Sequence, residues 1–252
     1  MRRWSSVSFA HEGVALAGQI DAVIFDLDGT LVDSAPGICS SLVFACGGRA
    51  QLPTDLRHHP ALSMPLAEAV EALIPGIGQL ERREVEARFR EYYDSEGWMQ
   101  SRLFDGATEA LFALHQANIA QYVATNKRRM PTVRILHRLG LSAYVEDVLT
   151  RDSAQPPFLS KREAVQYLLD AHALTPARAL LVGDSIDDLE AAYSVGSGFL
   201  GVPWGYGSAR LTSLDPPVRM ICTYPDLVDL VLGRNDCRSQ LPHEDTQEDL
   251  CR

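Results

Sequence analysis

The chain has 252 residues, of which 46% are apolar and 22% are charged, a balance that fits a globular protein and excludes a disordered one. Its formal net charge of −10 would repel nucleic acid and anionic membrane surfaces, so neither is an expected partner. No segment is apolar enough to span a bilayer, and the polar stretch at residues 4–12 does not fit a signal peptide, which favours a cytoplasmic location.

Four short apolar runs end in polar residues or proline, as buried strands that lead into turns do. The runs cover residues 22–27, 120–124, 179–182 and 199–202, and three of them end at Asp28-Gly29, Thr125-Asn126 and Gly183-Asp184. Helical periodicities accompany them at about 107–117, 128–139, 161–173 and 187–195. This alternation predicts an α/β fold with a doubly wound parallel sheet, in which ligands bind at the carboxyl ends of the strands.

Residues 35–102 break the alternation. Helix-like segments lie near 36–47, 65–74 and 79–94, without a clear buried strand between them. We therefore divide the chain into a core (1–34 and 103–233), a helical insertion (35–102) and a polar C-terminal tail (234–252) that we expect to be mobile. The two crossings between core and insertion, near 31–36 and 102–106, are predicted hinges, to which Gly37 and Gly106 would add backbone freedom.

The first apolar run leads into two carboxylates, Asp26 and Asp28, followed by Gly29. Magnesium prefers hard oxygen ligands, so this geometry suits a metal site. A solvated turn fits the same residues equally well, because Asp and Gly are common in turns. In the same way, Thr125 could cap the helix that follows it, and Asp184 could favour the positive end of the next helix. Taken singly, these residues leave both interpretations open.

Four segments in order resemble the motifs of the haloacid dehalogenase superfamily. Phe25 to Ser34 (FDLDGTLVDS) resembles the first motif, and residues 123–127 (VATNK) resemble the second. Lys161 is placed like the third, and residues 182–188 (VGDSIDD) resemble the fourth. Residues 201–207 (GVPWGYG) are similar to a loop of phosphoglycolate-phosphatase-like members. The resemblance spans about residues 21–232 and implies a Rossmann-like core with a small helical cap.

The resemblance also implies a magnesium-dependent phosphatase. Asp26 would attack phosphorus and form an aspartyl-phosphate, while Asp28 would protonate the leaving oxygen and then activate water. The carboxylates of Asp26 and Asp184, with the backbone carbonyl of Asp28, would hold Mg²⁺. Family spacing favours Asp188 as the acidic residue that supports the site, and leaves Asp187 as a helix-start residue.

The phosphoryl group would be bound by Gly29, Thr30, Thr125, Asn126 and Lys161 in this interpretation. Relatives often carry Lys-Pro after a strand as the third motif, whereas residues 155–157 here are Gln-Pro-Pro. The chain has only two lysines, and Lys127 belongs to the second motif. Lys161, at the start of a predicted helix, is therefore expected to supply the positive charge.

The same motifs restrict the reactions that the resemblance allows for this chain. Superfamily dehalogenases lack the aspartate at position 28, and the phosphonate-cleaving branch needs a cap lysine, which residues 35–102 do not contain. A phosphatase for a small phosphorylated molecule is expected, with phosphoglycolate as the first guess. A sugar-phosphate mutase and a non-catalytic binding protein for phosphorylated ligands remain as alternatives. Basic residues of the insertion that could meet an anionic substrate are Arg49, Arg57, His58, His59, Arg82, Arg83, Arg88 and Arg90, although the last four alternate with glutamates as on a solvated helix face.

Overall fold

The computed structural model describes residues 19–48 and 59–234. The predictions for the N-terminal lead-in, for the tail beyond residue 234 and for Arg49, Arg57 and His58 lie outside the described residues. The strands in chain order are β1 (Ala22–Phe25), β2 (Val32–Asp33), β3 (Arg102–Leu103), β4 (Ala120–Thr125), β5 (Asp147–Thr150), β6 (Ala179–Gly183) and β7 (Gly198–Gly201).

The helices in chain order are α1 (Ala35–Cys46), α2 (Leu66–Leu73), α3 (Gln79–Ser95), α4 (Ala107–Gln116), α5 (Arg129–Arg138), α6 (Lys161–Ala171), α7 (Ile186–Val195), α8 (Ser208–Thr212) and α9 (Tyr224–Val231). Throughout the described ranges, no helix has both the length and the apolar character that crossing a bilayer requires.

A parallel five-stranded sheet forms the centre of the core, in the order β5, β4, β1, β6, β7. Strand β1 lies in the middle, and all four of its residues are buried, because helices cover both faces of the sheet. Val23 and Phe25 belong to a cluster with α4 and α9, whereas Ala22 and Ile24 belong to a cluster with α6 and α7. This division follows from the two-residue period of a strand. The predicted doubly wound α/β fold is confirmed.

In the described part of the insertion, residues 35–48 and 59–102, the helices α1, α2 and α3, together with short 3₁₀ turns, lie at the positions that the sequence predicted. Its helices bury small apolar clusters of their own, around Leu42 and Leu73 and around Val70 and Val85. The residue Gly37 lies inside α1, where an added Cβ would be 2.0 Å from the carbonyl oxygen of Gly97. Gly37 therefore permits close packing within the insertion, and its contribution to a hinge stays a prediction.

The two crossings between core and insertion form one structure. Strands β2 and β3 pair as a short antiparallel ribbon, with Val32 opposite Leu103 and Asp33 opposite Arg102. The ribbon brings the beginning and the end of the insertion side by side, next to the carboxyl end of β1. The insertion is therefore joined to the core at a single place beside the candidate site.

Candidate active site

The central strands place the first site residues together. Asp26 follows β1, Thr125 ends β4, and Asp184 follows β6, so that all three lie at the same edge of the sheet. The turn after β1 requires a glycine at position 29, because its φ is +87° and an added Cβ would lie 2.6 Å from an oxygen of Asp184. The three residues thus lie at the carboxyl ends of the strands, where a sheet of this topology is expected to bind its ligand.

An acidic cluster occupies this edge. Oxygens of Asp26, Asp184 and Asp188 all lie within 4.8 Å of one another, and all three residues are buried. Burial, together with the neighbouring aspartates, raises the pKa of Asp26 well above its usual range, against the effect of Lys161. Burial and Asp188 raise the pKa of Asp184 to about 7. Converging carboxylate oxygens with this surplus of negative charge fit a hard cation such as Mg²⁺.

Lys161 lies inside the acidic cluster, and its predicted role toward a phosphoryl group stays a prediction. It is the first residue of α6, its side chain is 3% exposed, and its Nζ donates hydrogen bonds to Asp26 Oδ1 and Asp188 Oδ1. Burial alone would lower the pKa of Lys161, but Asp188 and Asp26 outweigh burial and hold it above the usual range. One ammonium faces three carboxyl groups, so the cluster still offers oxygen atoms that could hold a metal ion.

Asp188 has a structural task as well as this contact. Its Oδ2 accepts hydrogen bonds from the backbone N of Ser185 at 3.0 Å and from the Ser185 hydroxyl at 2.6 Å. These contacts form a capping box at the start of α7. One carboxylate therefore fixes the helix that follows Asp184 and also binds Lys161.

Asp28 is not one of the three residues of this cluster, and its side chain contacts the chain's other lysine. Its Oδ2 accepts a hydrogen bond from Lys127 Nζ at 2.7 Å, and its Oδ1 has no hydrogen-bond partner among the described residues. Lys127 also lies over the ring of Tyr93 in the insertion, 4.5 Å from the ring centroid. From the sequence, Lys127 is expected only as part of the second motif, and no prediction includes Tyr93. The scarcity of lysine was the one available signal.

The other predicted phosphate-binding residues line the same region. Thr125 is buried, and its Oγ1 accepts a hydrogen bond from Lys127 N at 3.2 Å, which closes the turn after β4. Thr30 is fully buried, and its hydroxyl has no hydrogen-bond partner in the described part of the chain. Asn126 lies at the exposed rim, where its Nδ2 donates to Asp187 Oδ2 at 2.6 Å.

The family model described as haloacid dehalogenase-like hydrolase matches residues 20–196. The chain belongs to this family. This result confirms the resemblance of the four motifs, and the named relatives agree with it. A phosphoglycolate phosphatase from Photobacterium profundum is 31% identical over 225 residues, which cover 84% of this chain and 96% of the relative. This hydrolase is thus a phosphatase.

Similar proteins include one named a kinase and a solved structure named a phosphatase. The tyrosine-protein kinase PtkA of Mycobacterium tuberculosis is 33% identical over 209 residues, covering 82% of this hydrolase and 69% of the relative. Its solved structure matches with a TM-score of 0.73 at 31% identity, over 84% of this chain and 98% of that one. A predicted phosphoglycolate phosphatase from Haemophilus somnus matches with a TM-score of 0.71 at 25% identity, over 85% and 99% of the two chains.

In this hydrolase, the loop at residues 203–207 joins the acidic cluster to the insertion. Gly207 N donates to Asp184 Oδ2 at 2.9 Å. The hydroxyl of Tyr206 accepts hydrogen bonds from the backbone N of Ser34 and of Ala35, each at 2.8 Å, and donates to Asp33 Oδ1 at 2.9 Å. The loop therefore fixes both a candidate metal ligand and the first crossing into the insertion.

Proposed function

We propose that this hydrolase cleaves a small-molecule phosphate monoester of the phosphoglycolate type, through an aspartyl-phosphate on Asp26 and with Mg²⁺ as cofactor. The observation that carries the proposal is the surroundings of Asp26: a buried carboxylate at the end of the central strand, in contact with Lys161 and within 4.8 Å of Asp184 and Asp188. The substrate class is supported by the relatives named phosphoglycolate phosphatase. The cytoplasmic location predicted from the sequence is part of this proposal.

The first half of the reaction transfers the phosphoryl group to the protein. A carboxylate oxygen of Asp26 attacks phosphorus, the bond from phosphorus to the leaving oxygen breaks, and Asp28 gives that oxygen a proton. Thr125 donates a hydrogen bond to the phosphoryl oxygens, and the ammonium of Lys161 offsets their charge. When bound by the carboxylates of Asp26 and Asp184 and the carbonyl of Asp28, Mg²⁺ would neutralise further charge on the same group.

The second half hydrolyses the aspartyl-phosphate. Asp28, now ionised, takes a proton from a water molecule whose oxygen attacks phosphorus, and the bond between phosphorus and Asp26 breaks. Phosphate leaves, Asp26 is restored as a carboxylate, and Asp28 is protonated for the next turnover. The insertion acts in this proposal as a cap that keeps other water away from the intermediate.

A phosphate-release screen tests the proposal. Organic-acid phosphates, sugar phosphates, nucleotides and pyrophosphate are incubated with the enzyme and Mg²⁺, with parallel samples in a chelator. We expect release of phosphate from small esters in Mg²⁺ only, and no turnover in Asp26→Asn, which loses the nucleophile but keeps its shape. Conversion of a sugar phosphate to its isomer without phosphate release would favour the mutase instead. Absence of any magnesium-dependent turnover would favour the non-catalytic alternative.

A further inference from the structure

The contact between Lys127 and Asp28 is a partly buried ion pair. The Lys127 side chain is 8% exposed and the Asp28 side chain 22%, and the two charged groups are 2.7 Å apart. The ammonium of Lys127 contacts both Asp28 and the ring of Tyr93, so these two partners fix its position.

The pair leaves one oxygen of Asp28 free. Lys127 binds Oδ2, whereas Oδ1 is buried and has no hydrogen-bond partner within the described residues. A buried carboxylate oxygen without a partner is unfavourable unless another molecule provides a donor. Oδ1 is thus the oxygen that a water molecule or a leaving group meets.

Tyr93 fixes Lys127 from the other side. Tyr93 lies in α3 of the insertion and is 4% exposed, and the Lys127 ammonium stands over its ring. A cation over an aromatic face is attracted by the ring, more strongly when both are removed from water. The orientation of Asp28 therefore depends, through one lysine, on a side chain that is not part of the core.

Three arginines at and within α5 hold the same end of the insertion against the core. Arg128 forms an ion pair with Asp94, Arg134 donates to the Asp94 carbonyl at 3.1 Å, and Arg138 donates to the Ser101 carbonyl at 3.0 Å. Together with Lys127, these residues contact the insertion from position 93 to position 101. The described structure is thus the docked arrangement, in which Tyr93 reaches Lys127.

We propose that Lys127 is a positioning residue, which holds Oδ2 of Asp28 so that Oδ1 meets the water that hydrolyses the aspartyl-phosphate, and that Tyr93 makes this arrangement depend on docking of the insertion. The proposal rests on the function proposed above. In the step concerned, water gives a proton to Oδ1, its oxygen bonds to phosphorus, and the Asp26 oxygen leaves with the electron pair of the broken bond. Lys127 neither gives nor takes a proton in this step.

An activated aryl ester allows hydrolysis of the aspartyl-phosphate to be measured separately from phosphorylation of Asp26. The substrate is p-nitrophenyl phosphate, because its leaving group departs without a proton. Rapid mixing then measures phosphorylation as a burst of nitrophenolate and hydrolysis of the intermediate as the steady rate that follows. In Lys127→Met, we expect the burst rate to stay within about threefold of wild type and the steady rate to fall about 100-fold, as for loss of a well-placed base. The phosphorylated protein should accumulate and be visible by intact mass spectrometry.

Variants of Tyr93 test the part played by the insertion. Tyr93→Leu removes the ring and should lower the steady rate about tenfold, whereas Tyr93→Phe keeps the ring under the ammonium and should stay within about twofold. Tyr92→Leu is the matched control, since that neighbouring ring stacks on Phe44 instead and its loss should leave the steady rate unchanged. Combining Tyr93→Leu with Lys127→Met should reduce the rate no further than Lys127→Met alone.

Lys127→Arg keeps a cation over the ring and should recover at least about tenfold of the lost steady rate, which a purely structural role would not explain. An equal loss of burst and steady rate in Lys127→Met would overturn the proposal, because Lys127 would then act on the phosphoryl group. An unchanged steady rate would overturn it as well. If Lys127→Met fails to fold, the variants Tyr93→Leu and Tyr93→Phe test the proposal instead. Equal steady rates in these two variants would then contradict it. Failure of wild type to form a phosphorylated intermediate would instead overturn the proposed function.

Discussion

The candidate site has two halves, each built around one of the chain's two lysines, and they differ in origin and in charge. The first half, Lys161 with Asp26, Asp184 and Asp188, comes from the core alone and keeps a surplus of negative charge. The second half, Lys127 with Asp28 and Tyr93, is a balanced ion pair shared between core and insertion. The difference fits the proposed division of labour, in which the first half would hold a cation and the second half would depend on the insertion.

Removing each lysine in turn tests the two halves separately. Lys161→Ala should lower kcat/KM for a small phosphate ester by about 100-fold to 1,000-fold, because it removes a fixed charge beside the nucleophile. Lys127→Ala should change kcat/KM for an activated aryl ester much less, since kcat/KM there reports only the phosphorylation of Asp26. Steady-state kinetics of both variants check the order.

Lys161→Arg is the control that keeps the positive charge at this position but changes the shape of the charged group. It should recover little activity, because a planar guanidinium cannot occupy the place of a compact ammonium between two carboxylates. A larger loss of kcat/KM in Lys127→Ala than in Lys161→Ala would mean that the two halves have been assigned the wrong way round.

The effect of Mg²⁺ on the thermal stability of the protein tests whether the metal binds in the first half of the site. Saturating Mg²⁺ at about 100 times its dissociation constant should stabilise the wild type by about 2.7 kcal/mol, a rise in melting temperature of several degrees. Asp184→Asn should lose most of this rise, since it removes a ligand charge, and its metal-free form should melt above the metal-free wild type because one of three crowded carboxylates is gone. Thermal melts with and without Mg²⁺ measure both effects.

Asp187→Asn is the matched control for this prediction. Asp187 lies close to Asp184 in the chain but at the exposed rim, in contact with Asn126. Its variant should keep the full rise in melting temperature with Mg²⁺. A similar loss in both variants would contradict the assignment of the metal to the buried cluster.

The smallest expected effect concerns the ribbon of β2 and β3. If the insertion opens and closes for substrate, amides at residues 31–36 and 102–106 should exchange several-fold more slowly with Mg²⁺ and a phosphate mimic such as orthovanadate than without them. Hydrogen exchange followed by mass spectrometry measures this change, with α4 as an internal reference inside the core. Equal protection in both conditions would contradict gating at the ribbon.

Most of the sheet could be predicted from local sequence, and its exceptions have clear causes. Strands β1, β4, β6 and β7 are apolar runs because helices cover both sides of the sheet. Strand β5 was overlooked because it lies at the edge, and only Val148 and Leu149 of its four residues are apolar. The ribbon of β2 and β3 has two residues in each strand, too few for any period to appear.

The same contrast applies to the site. Asp26, Thr125 and Asp184 could be placed together because strand ends meet at one edge of a parallel sheet. The contact of Lys127 with Asp28 joins residues 99 positions apart, and Tyr93 lies in a helix whose Glu and Arg pattern is typical of a solvated face. Arg82 and Arg90 do pair with Glu71 and Glu86 on that face. Nothing in the local pattern around Tyr93 marks it as the residue that turns towards the core.

The ribbon has a consequence for how this enzyme can change over generations. The insertion leaves and rejoins the core through paired residues, Val32 opposite Leu103. The geometry of the parallel sheet is therefore independent of the number of residues between these two positions. Segments there can lengthen, shorten or be exchanged, while the register of the parallel strands stays as it is. The insertion can thus change in descendants of this chain while Asp26 and the acidic cluster stay in place, as long as an aromatic ring still contacts Lys127.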